Sequence, residues 1–150
     1  MMMWSAFVMA VLSFGLLEGR PLVAFHSTVS VYTLKNLFRG QIVIFDKVIT
    51  IIGGAYNPNT GIFVAPVDGV YVFNAGARSQ AGKYENFELV KDGSRIQTLY
   101  ADSGSINTAS MASLTAVLEL KRGNMVWIRA AGGSDEIHGE DFTFFTGWLI

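Results

Sequence analysis

Short apolar stretches alternate with turn residues along most of the chain after Pro21. Many of these stretches are rich in β-branched and aromatic residues, which favour strands. Gly, Asn, Asp and Ser separate them at intervals typical of all-β domains. Ten strands are predicted, over residues 22–31, 41–45, 48–52, 61–64, 69–78, 84–91, 95–101, 108–120, 125–130 and 142–150. The pattern therefore predicts an all-β sandwich or barrel.

One turn signal is strong enough to predict a specific pairing. Asp92-Gly93 stands between two β-rich stretches. This dipeptide favours a type I′ turn, whose twist matches that of a two-residue hairpin. Residues 84–91 and 95–101 are therefore expected to pair.

Several predicted strands are apolar on both faces, although a sandwich strand turns only one face to the core. In residues 142–150, one alternating set is Phe142, Phe144, Trp148 and Ile150, and the other contains Phe145 and Leu149. Residues 70–75 show the same property. A second apolar face needs a cover, which can be an identical subunit, loops of the same chain, or the other layers of a thick sandwich. The pattern alone leaves these three possibilities open.

The first 19 residues differ from the rest of the chain. An apolar stretch over residues 4–17 precedes Glu18 and Arg20, and small residues stand at Gly15 and Gly19. This arrangement predicts a secretory signal peptide over residues 1–19 and a mature domain over 22–150. A buried helix or a membrane anchor is the alternative, but a spanning helix needs ~20 apolar residues. We expect no membrane span in the mature protein.

Composition excludes several classes of function. The 150 residues hold 11 Lys and Arg against 12 Asp and Glu, a net charge of -1, so no basic surface for nucleic acid is expected. Cys is absent, which removes disulfides, thiolate catalysis and Cys-ligated metals. No nucleophile elbow, zinc-protease motif or phosphate loop occurs. The sequence therefore predicts that the protein is not an enzyme.

Three groups of residues carry a resemblance to a known family. The first has aromatic and Gly residues at fixed spacings, namely Phe45, Tyr56, Phe63, Gly69, Tyr71 and Phe73. The second is the C-terminal stretch from Phe145 to Ile150, and the third is the stretch from Leu118 to Trp127. Together they resemble the globular head, or C1q domain, of the complement C1q family. The chain departs from that pattern at Ile51, Ala75 and Asn124.

The resemblance implies a fold and an assembly. C1q domains share a ten-stranded jelly-roll β-sandwich with the tumour necrosis factor-like superfamily and form trimers. It implies a homotrimer here, with Tyr71, Phe73, Phe144 and Trp148 as candidate interface residues. No collagen-like or heptad segment occurs, so a stalkless secreted protein is expected.

The densest acidic stretch is the candidate metal site. Asp135, Glu136, Glu140 and Asp141 surround His138 in a predicted loop. Carboxylate oxygens are ligands for Ca²⁺, and some C1q-type trimers bind Ca²⁺. The spacing matches no EF-hand, so a solvated loop is the alternative. His26 is expected to be a structural or interface residue.

Polar loops between firm strands are the usual setting for recognition residues. The candidate ligand-contacting residues are Arg78, Lys83, Asp102, Asn107 and Trp127. Trp127 near Arg129 suits sugar or protein contacts, although a packing role is equally compatible with the pattern.

The resemblance also implies a function. Short secreted C1q-type proteins act as lectin-like recognition proteins that bind microbial surfaces or glycans in innate immunity. The alternatives are an extracellular signalling or synaptic-organiser ligand with a cell-surface protein receptor, and a structural component of the extracellular matrix. We expect an extracellular location in each case.

Overall fold

The computed structural model describes residues 19–134 and 136–150, and within them ten strands form two five-stranded antiparallel sheets. Sheet A contains, in spatial order, β2 (Lys47–Ile52), β1 (Ala24–Lys35), β10 (Glu136–Leu149), β5 (Gly69–Ser79) and β8 (Met111–Leu120). Sheet B contains β3 (Tyr56–Asn57), β4 (Ile62–Val64), β9 (Met125–Gly133), β6 (Tyr84–Lys91) and β7 (Ser94–Asp102). The first and last strands are neighbours. The predicted ten-stranded jelly-roll sandwich is confirmed.

Aromatic rings fill the space between the sheets. Phe25, Phe63, Phe73 and Phe145 are almost fully buried, with ring centroids 5.0 Å apart for Phe25 and Phe145 and 5.1 Å apart for Phe63 and Phe73. Edge-to-face pairs of this kind add about 0.5–1.5 kcal/mol beyond the area they bury. Gly147 lies among these rings, and a Cβ there would be 2.7 Å from both Phe25 and Phe73. The glycine lets the rings approach the backbone of β10.

The Asp92-Gly93 hairpin forms as predicted. The two residues have φ values of 48° and 86°, as a type I′ turn requires, and Lys91 pairs with Ser94 across it. In β8, Leu114, Ala116 and Leu120 are buried and Leu118 is half-buried, whereas the opposite side of the strand is exposed.

The strand predicted over residues 41–45 is wrong. Ile42 forms an isolated β-bridge with Arg129. Backbone hydrogen bonds join residues 40–43 to β9, and the hydroxyls of Ser27 and Tyr56 donate to the Phe45 carbonyl at 2.6 and 2.9 Å. Burial raises the pKa of Tyr56, which keeps its hydroxyl a donor. The alternation in this segment reflects core packing of Val43 and Phe45.

The last strand begins earlier than the sequence indicates. β10 starts at Glu136, so the acidic stretch from Glu136 to Asp141 belongs to the strand and not to a loop. The strand carries an irregularity between His138 and Phe144, where its register with β5 shifts. A Cβ at Gly139 would lie 1.9 Å from the Val31 carbonyl oxygen, and Glu140 has a φ of 51°. Gly139 therefore allows β10 to bulge against β1.

No helix among the described residues has the length and hydropathy needed to cross a bilayer. The predicted signal peptide lies outside the described residues except for Gly19, and it stays a prediction.

Candidate functional site

The outer face of sheet A, turned away from the core, carries a row of apolar side chains across all five strands. The register places them side by side, in the order Ile52, Ala24, Trp148, Val72 and Val117. Trp148 is 37% exposed, Ile52 46% and Val117 62%. Val70, on the same side of β5 as Val72, is also exposed. A continuous apolar row of this kind is a feature of interaction surfaces.

The next row on the same face is polar on every strand. It consists of Thr50, His26, Thr146, Asn74 and Thr115. His26 Nδ1 and Thr146 Oγ1 are 2.5 Å apart, and the Thr115 hydroxyl donates to Asn74 Oδ1 at 2.7 Å. The row contains no Lys, Arg, Asp or Glu, and four of its five side chains are hydrogen-bonded in pairs. The row can therefore be covered by another molecule at a smaller desolvation cost than a row of charges.

The four candidate interface residues divide between the two faces of sheet A. Tyr71 and Phe73 are fully buried in the core of the protomer, so they do not belong to an exposed surface. Phe144 and Trp148 lie on the outer face, where the Phe144 ring covers Gly76. The sequence could not separate the two pairs, because both alternating sets of β5 and β10 are apolar.

A cluster around His138 lies at one end of the outer face of sheet A. Arg78 Nη1 and His138 Nδ1 are 3.1 Å apart, and the Arg78 guanidinium lies 4.4 Å from the centre of the Phe142 ring. The Tyr32 ring covers the imidazole at a centroid distance of 4.4 Å. Burial, and then the nearby charge of Arg78, lower the pKa of His138, whereas Glu140 opposes the shift. His138 is therefore neutral near pH 7.

The candidate Ca²⁺ ligands are not brought together among the described residues. Glu136 forms an ion pair with Lys83 at 3.7 Å, and Asp141 forms one with Lys47 at 3.7 Å. No three His, Cys, Asp or Glu side chains in residues 19–134 and 136–150 are grouped as metal ligands are. Asp135 lies outside the described residues. Ca²⁺ binding stays a prediction that this geometry does not support.

Four of the five candidate ligand residues lie at one end of the sandwich, here called the loop end and defined by residues 80–83 and 103–110. Lys83 and Asn107 are in these loops, and Arg78 and Asp102 lie close to the ends of β5 and β7. Ser103 holds the two loops together, because its buried hydroxyl lies 2.7 Å from the Lys83 carbonyl and 3.0 Å from the Gln80 carbonyl. Trp127 lies nearer the other end, on the outer face of sheet B, beside Val90.

The outer face of sheet B carries charges that the protomer neutralises itself. Glu88 accepts from Arg129 Nε at 2.7 Å and lies 3.6 Å from Arg95 Nη1. Near the loop end this face also carries two exposed tyrosines, Tyr84 and Tyr100, with ring centroids 5.7 Å apart. Sequence reasoning did not single out this pair. The hairpin signal at Asp92-Gly93 predicts that the two strands pair, but not the register shift that places Tyr100 on this face.

Comparison with protein families and curated proteins gives one consistent answer. The family model described as "C1q domain" matches residues 24–150. Complement C1q tumor necrosis factor-related protein 3 of Mus musculus is 34% identical over 117 residues, which are 72% of this chain and 44% of that protein. Multimerin-1 of Homo sapiens is 34% identical over 134 residues, which are 87% of this chain and 10% of that protein. The chain thus spans less than half the length of these relatives.

Solved structures agree with the fold. The globular domain of zebrafish complement 1qA protein has a TM-score of 0.70 at 25% identity, covering 86% of this chain and 97% of that one. The Eiger TNF structure from S. frugiperda has a TM-score of 0.70 at 13% identity, covering 87% and 94% of the two chains. At that identity the second likeness shows the fold alone.

Proposed function

Because the chain belongs to the C1q domain family, we propose that it is a secreted, homotrimeric recognition protein that binds glycans or microbial surfaces outside the cell. The family resemblance seen in the sequence is confirmed. C1q and tumour necrosis factor-like domains are non-enzymatic, which agrees with the expectation that the protein is not an enzyme. The remaining parts of the proposal concern the assembly and the ligand.

The outer face of sheet A is the observation that supports the trimer. In its apolar row Ile52, Trp148 and Val117 are exposed, whereas Val72 between Trp148 and Val117 is only 9% exposed. Covering ~800 Å² per partner is typical of a stable interface, and five strands of sheet surface supply an area of that order. Because neither row contains Lys, Arg, Asp or Glu, a second copy of the chain can cover both without burying an unpaired carboxylate, ammonium or guanidinium group.

The loop end supports a recognition function. Its two loops are fixed to each other by Ser103 and are mounted on firm strands, so their side chains are held in place before a ligand arrives. Three copies in one assembly present three such ends. On a repetitive surface, linked sites raise the apparent affinity by about 10²–10⁴ without any new contact. A repeating glycan suits this arrangement.

Two measurements test the proposal together. Sedimentation of residues 20–150 at micromolar concentration should give a trimer, and binding to a glycan array and to whole bacteria should give saturable signals. A stable monomer would contradict the assembly. A trimer that binds no glycan and no microbe, but binds one cell-surface protein saturably, would replace the glycan ligand with a receptor. Incorporation into an insoluble matrix without either kind of binding would indicate a structural function.

A further inference from the structure

We propose that the outer face of sheet B holds a binding site for a neutral sugar, formed by Tyr84, Asn86 and Tyr100. This inference rests on the proposed glycan-binding function and gives it a location and a ligand class. The site lies on the sheet opposite to the proposed trimer face. All three copies in a trimer would therefore keep it open.

The register of the β6–β7 hairpin places the three side chains next to one another. Asn86 pairs with Tyr100, and Tyr84 pairs with Asp102, so these side chains share the outer face of neighbouring strands. The two tyrosine rings are 47% and 51% exposed and are tilted by 42° to each other. Two open rings at this angle form a shallow aromatic wall. The apolar C–H face of a pyranose ring packs well against such a wall, while the phenol hydroxyls remain at its rim.

Asn86 supplies an unused polar group beside the rings. Its Oδ1 atom is out of contact with water and has no hydrogen-bond partner. A buried carbonyl oxygen without a donor is destabilising, so most such atoms in proteins are paired. Asn86 as a whole is half-buried, so a sugar hydroxyl can donate to this oxygen once the amide rotates. Rotation of the amide about its last side-chain bond exchanges the oxygen and nitrogen positions, so the same group can accept from or donate to a ligand.

The strand on the other side of Asn86 leaves room for a ligand. Gly132 of β9 is the register partner of Asn86 and has a φ of 133°. A Cβ built there would meet no atom within 4 Å. The glycine therefore leaves the space above β9 open, whereas a side chain at this position would fill it.

The surrounding charges favour a neutral ligand. Asp102 is exposed and accepts a hydrogen bond from the Gly104 backbone, and no described Lys or Arg forms an ion pair with it. The cations in this region are used elsewhere, because Lys83 pairs with Glu136, and Arg129 and Arg95 pair with Glu88. A carboxylate can accept from sugar hydroxyls but repels phosphate or carboxylate groups. Acidic glycans are therefore poor candidates.

The site is also held rigidly. Ser134 fixes the start of β6, because its backbone N–H donates to the Tyr84 carbonyl at 3.0 Å and its hydroxyl lies 3.2 Å from the Tyr84 backbone nitrogen. Ser103 fixes the end of β7 through its contacts with Lys83. Because these residues are already ordered, little conformational entropy is lost when a ligand binds. This matters for weak ligands such as sugars.

The test compares four proteins, namely the unaltered chain, Tyr100→Ala, Asn86→Ala and the control Tyr32→Ala. Tyr32 is the matched control because it is an exposed tyrosine on sheet A. Each protein is titrated by NMR with neutral oligosaccharides of glucose, galactose, mannose and N-acetylglucosamine, and with sialyllactose as the acidic probe. Circular dichroism and sedimentation confirm that fold and assembly are unchanged.

We expect at least one neutral probe to bind the unaltered chain and Tyr32→Ala equally, and to bind Tyr100→Ala at least about fivefold more weakly, as loss of an aromatic contact predicts. Asn86→Ala should weaken the same probe. Neutral binding that both site variants retain would overturn this site while leaving the glycan function standing. Binding of sialyllactose alone would overturn the ligand class. No binding of any sugar to the unaltered trimer would overturn both the site and the proposed glycan function.

Discussion

The outer faces of the two sheets are built from the same strand alternation but present opposite surfaces. On sheet A, the central part of the outer face carries an apolar row beside an uncharged polar row, and Val117 remains 62% exposed. On sheet B, Glu88 binds two arginines, and Val90 is fully buried although it lies on the outer side of β6. Around Glu88 and Val90 the chain covers the outer face of sheet B with its own side chains, whereas the apolar row on sheet A stays partly exposed.

This difference shows what an exposed apolar residue means in each place. Val90 lies opposite Trp127, which is half-buried, so these two side chains belong to a face that the chain covers with its own atoms. On sheet A, by contrast, Val117 stays 62% exposed and Trp148 37% exposed after folding. Apolar composition alone does not predict an interface, but apolar composition together with continued exposure after folding does.

The largest effect is expected from a charge on sheet A. Val117→Asp should convert the proposed trimer to a monomer, because an unpaired carboxylate would be buried in the proposed interface. Since the side chain is exposed in the protomer, the fold itself should persist. Sedimentation at micromolar concentration measures the change. The matched control is Thr98→Asp on the exposed outer face of sheet B, which should remain a trimer. If Val117→Asp stays trimeric, the contrast between the faces is wrong.

A smaller effect is expected on sheet B. Glu88→Ala leaves the partly buried Arg129 without its 2.7 Å partner and should lower the free energy of unfolding by about 1–3 kcal/mol. Denaturant unfolding of the Val117→Asp monomer measures this without interference from assembly. Lys121→Gln, which removes an exposed ion pair with Asp68, is the control and should change stability by less than about 1 kcal/mol. Equal effects of the two substitutions would show that the Glu88 ion pairs stabilise the fold no more than an exposed surface ion pair does.

The smallest effect concerns pH and the end of sheet A. The folded protein lowers the pKa of His138 below its ordinary value of 6.5, so the unfolded chain binds the proton more readily. The free energy of unfolding should therefore be constant above about pH 6.5 and fall as the pH drops below it. The groups facing the imidazole are Arg78, Tyr32, Phe142 and Glu140.

Unfolding between pH 5 and pH 7.5 measures this dependence, with His138→Gln as the comparison. The variant should lose part of the decline below pH 6.5, because it removes the group whose protonation competes with the Arg78 contact. If the free energy of unfolding falls by the same amount in both proteins, titratable groups other than His138 cause the decline.

The sequence predicts the fold well where local signals and side-chain alternation agree. The side chains of β8 alternate in a way that has one physical interpretation, and so does the Asp92-Gly93 turn. The structure contains both the half-buried strand and the hairpin. Prediction fails where alternation has two interpretations. Tyr71 and Trp148 both stand in strands that are apolar on two sides, and only the assembled sandwich shows that Tyr71 faces the core and Trp148 the solvent.

Irregularities in strand pairing explain why the candidate sugar site was not predicted. A regular hairpin around Asp92-Gly93 would pair Asn86 with Leu99, but a register shift between Leu89 and Val90 pairs Asn86 with Tyr100 instead. One extra residue thus moves Tyr100 to the outer face. Local sequence gives little sign of such a shift. The same applies to His138, because its burial depends on the bulge at Gly139.

The position of β10 has a consequence for synthesis on the ribosome. This strand lies at the centre of sheet A, between β1 and β5, yet it is the last of the ten described strands to be translated. The five strands of sheet B all precede it in the chain. A nascent chain can therefore pair the strands of sheet B before sheet A has its middle strand, and the surface that carries Trp148 exists only after β10 emerges. A chain truncated before β10 would therefore lack the surface that the proposed trimer needs.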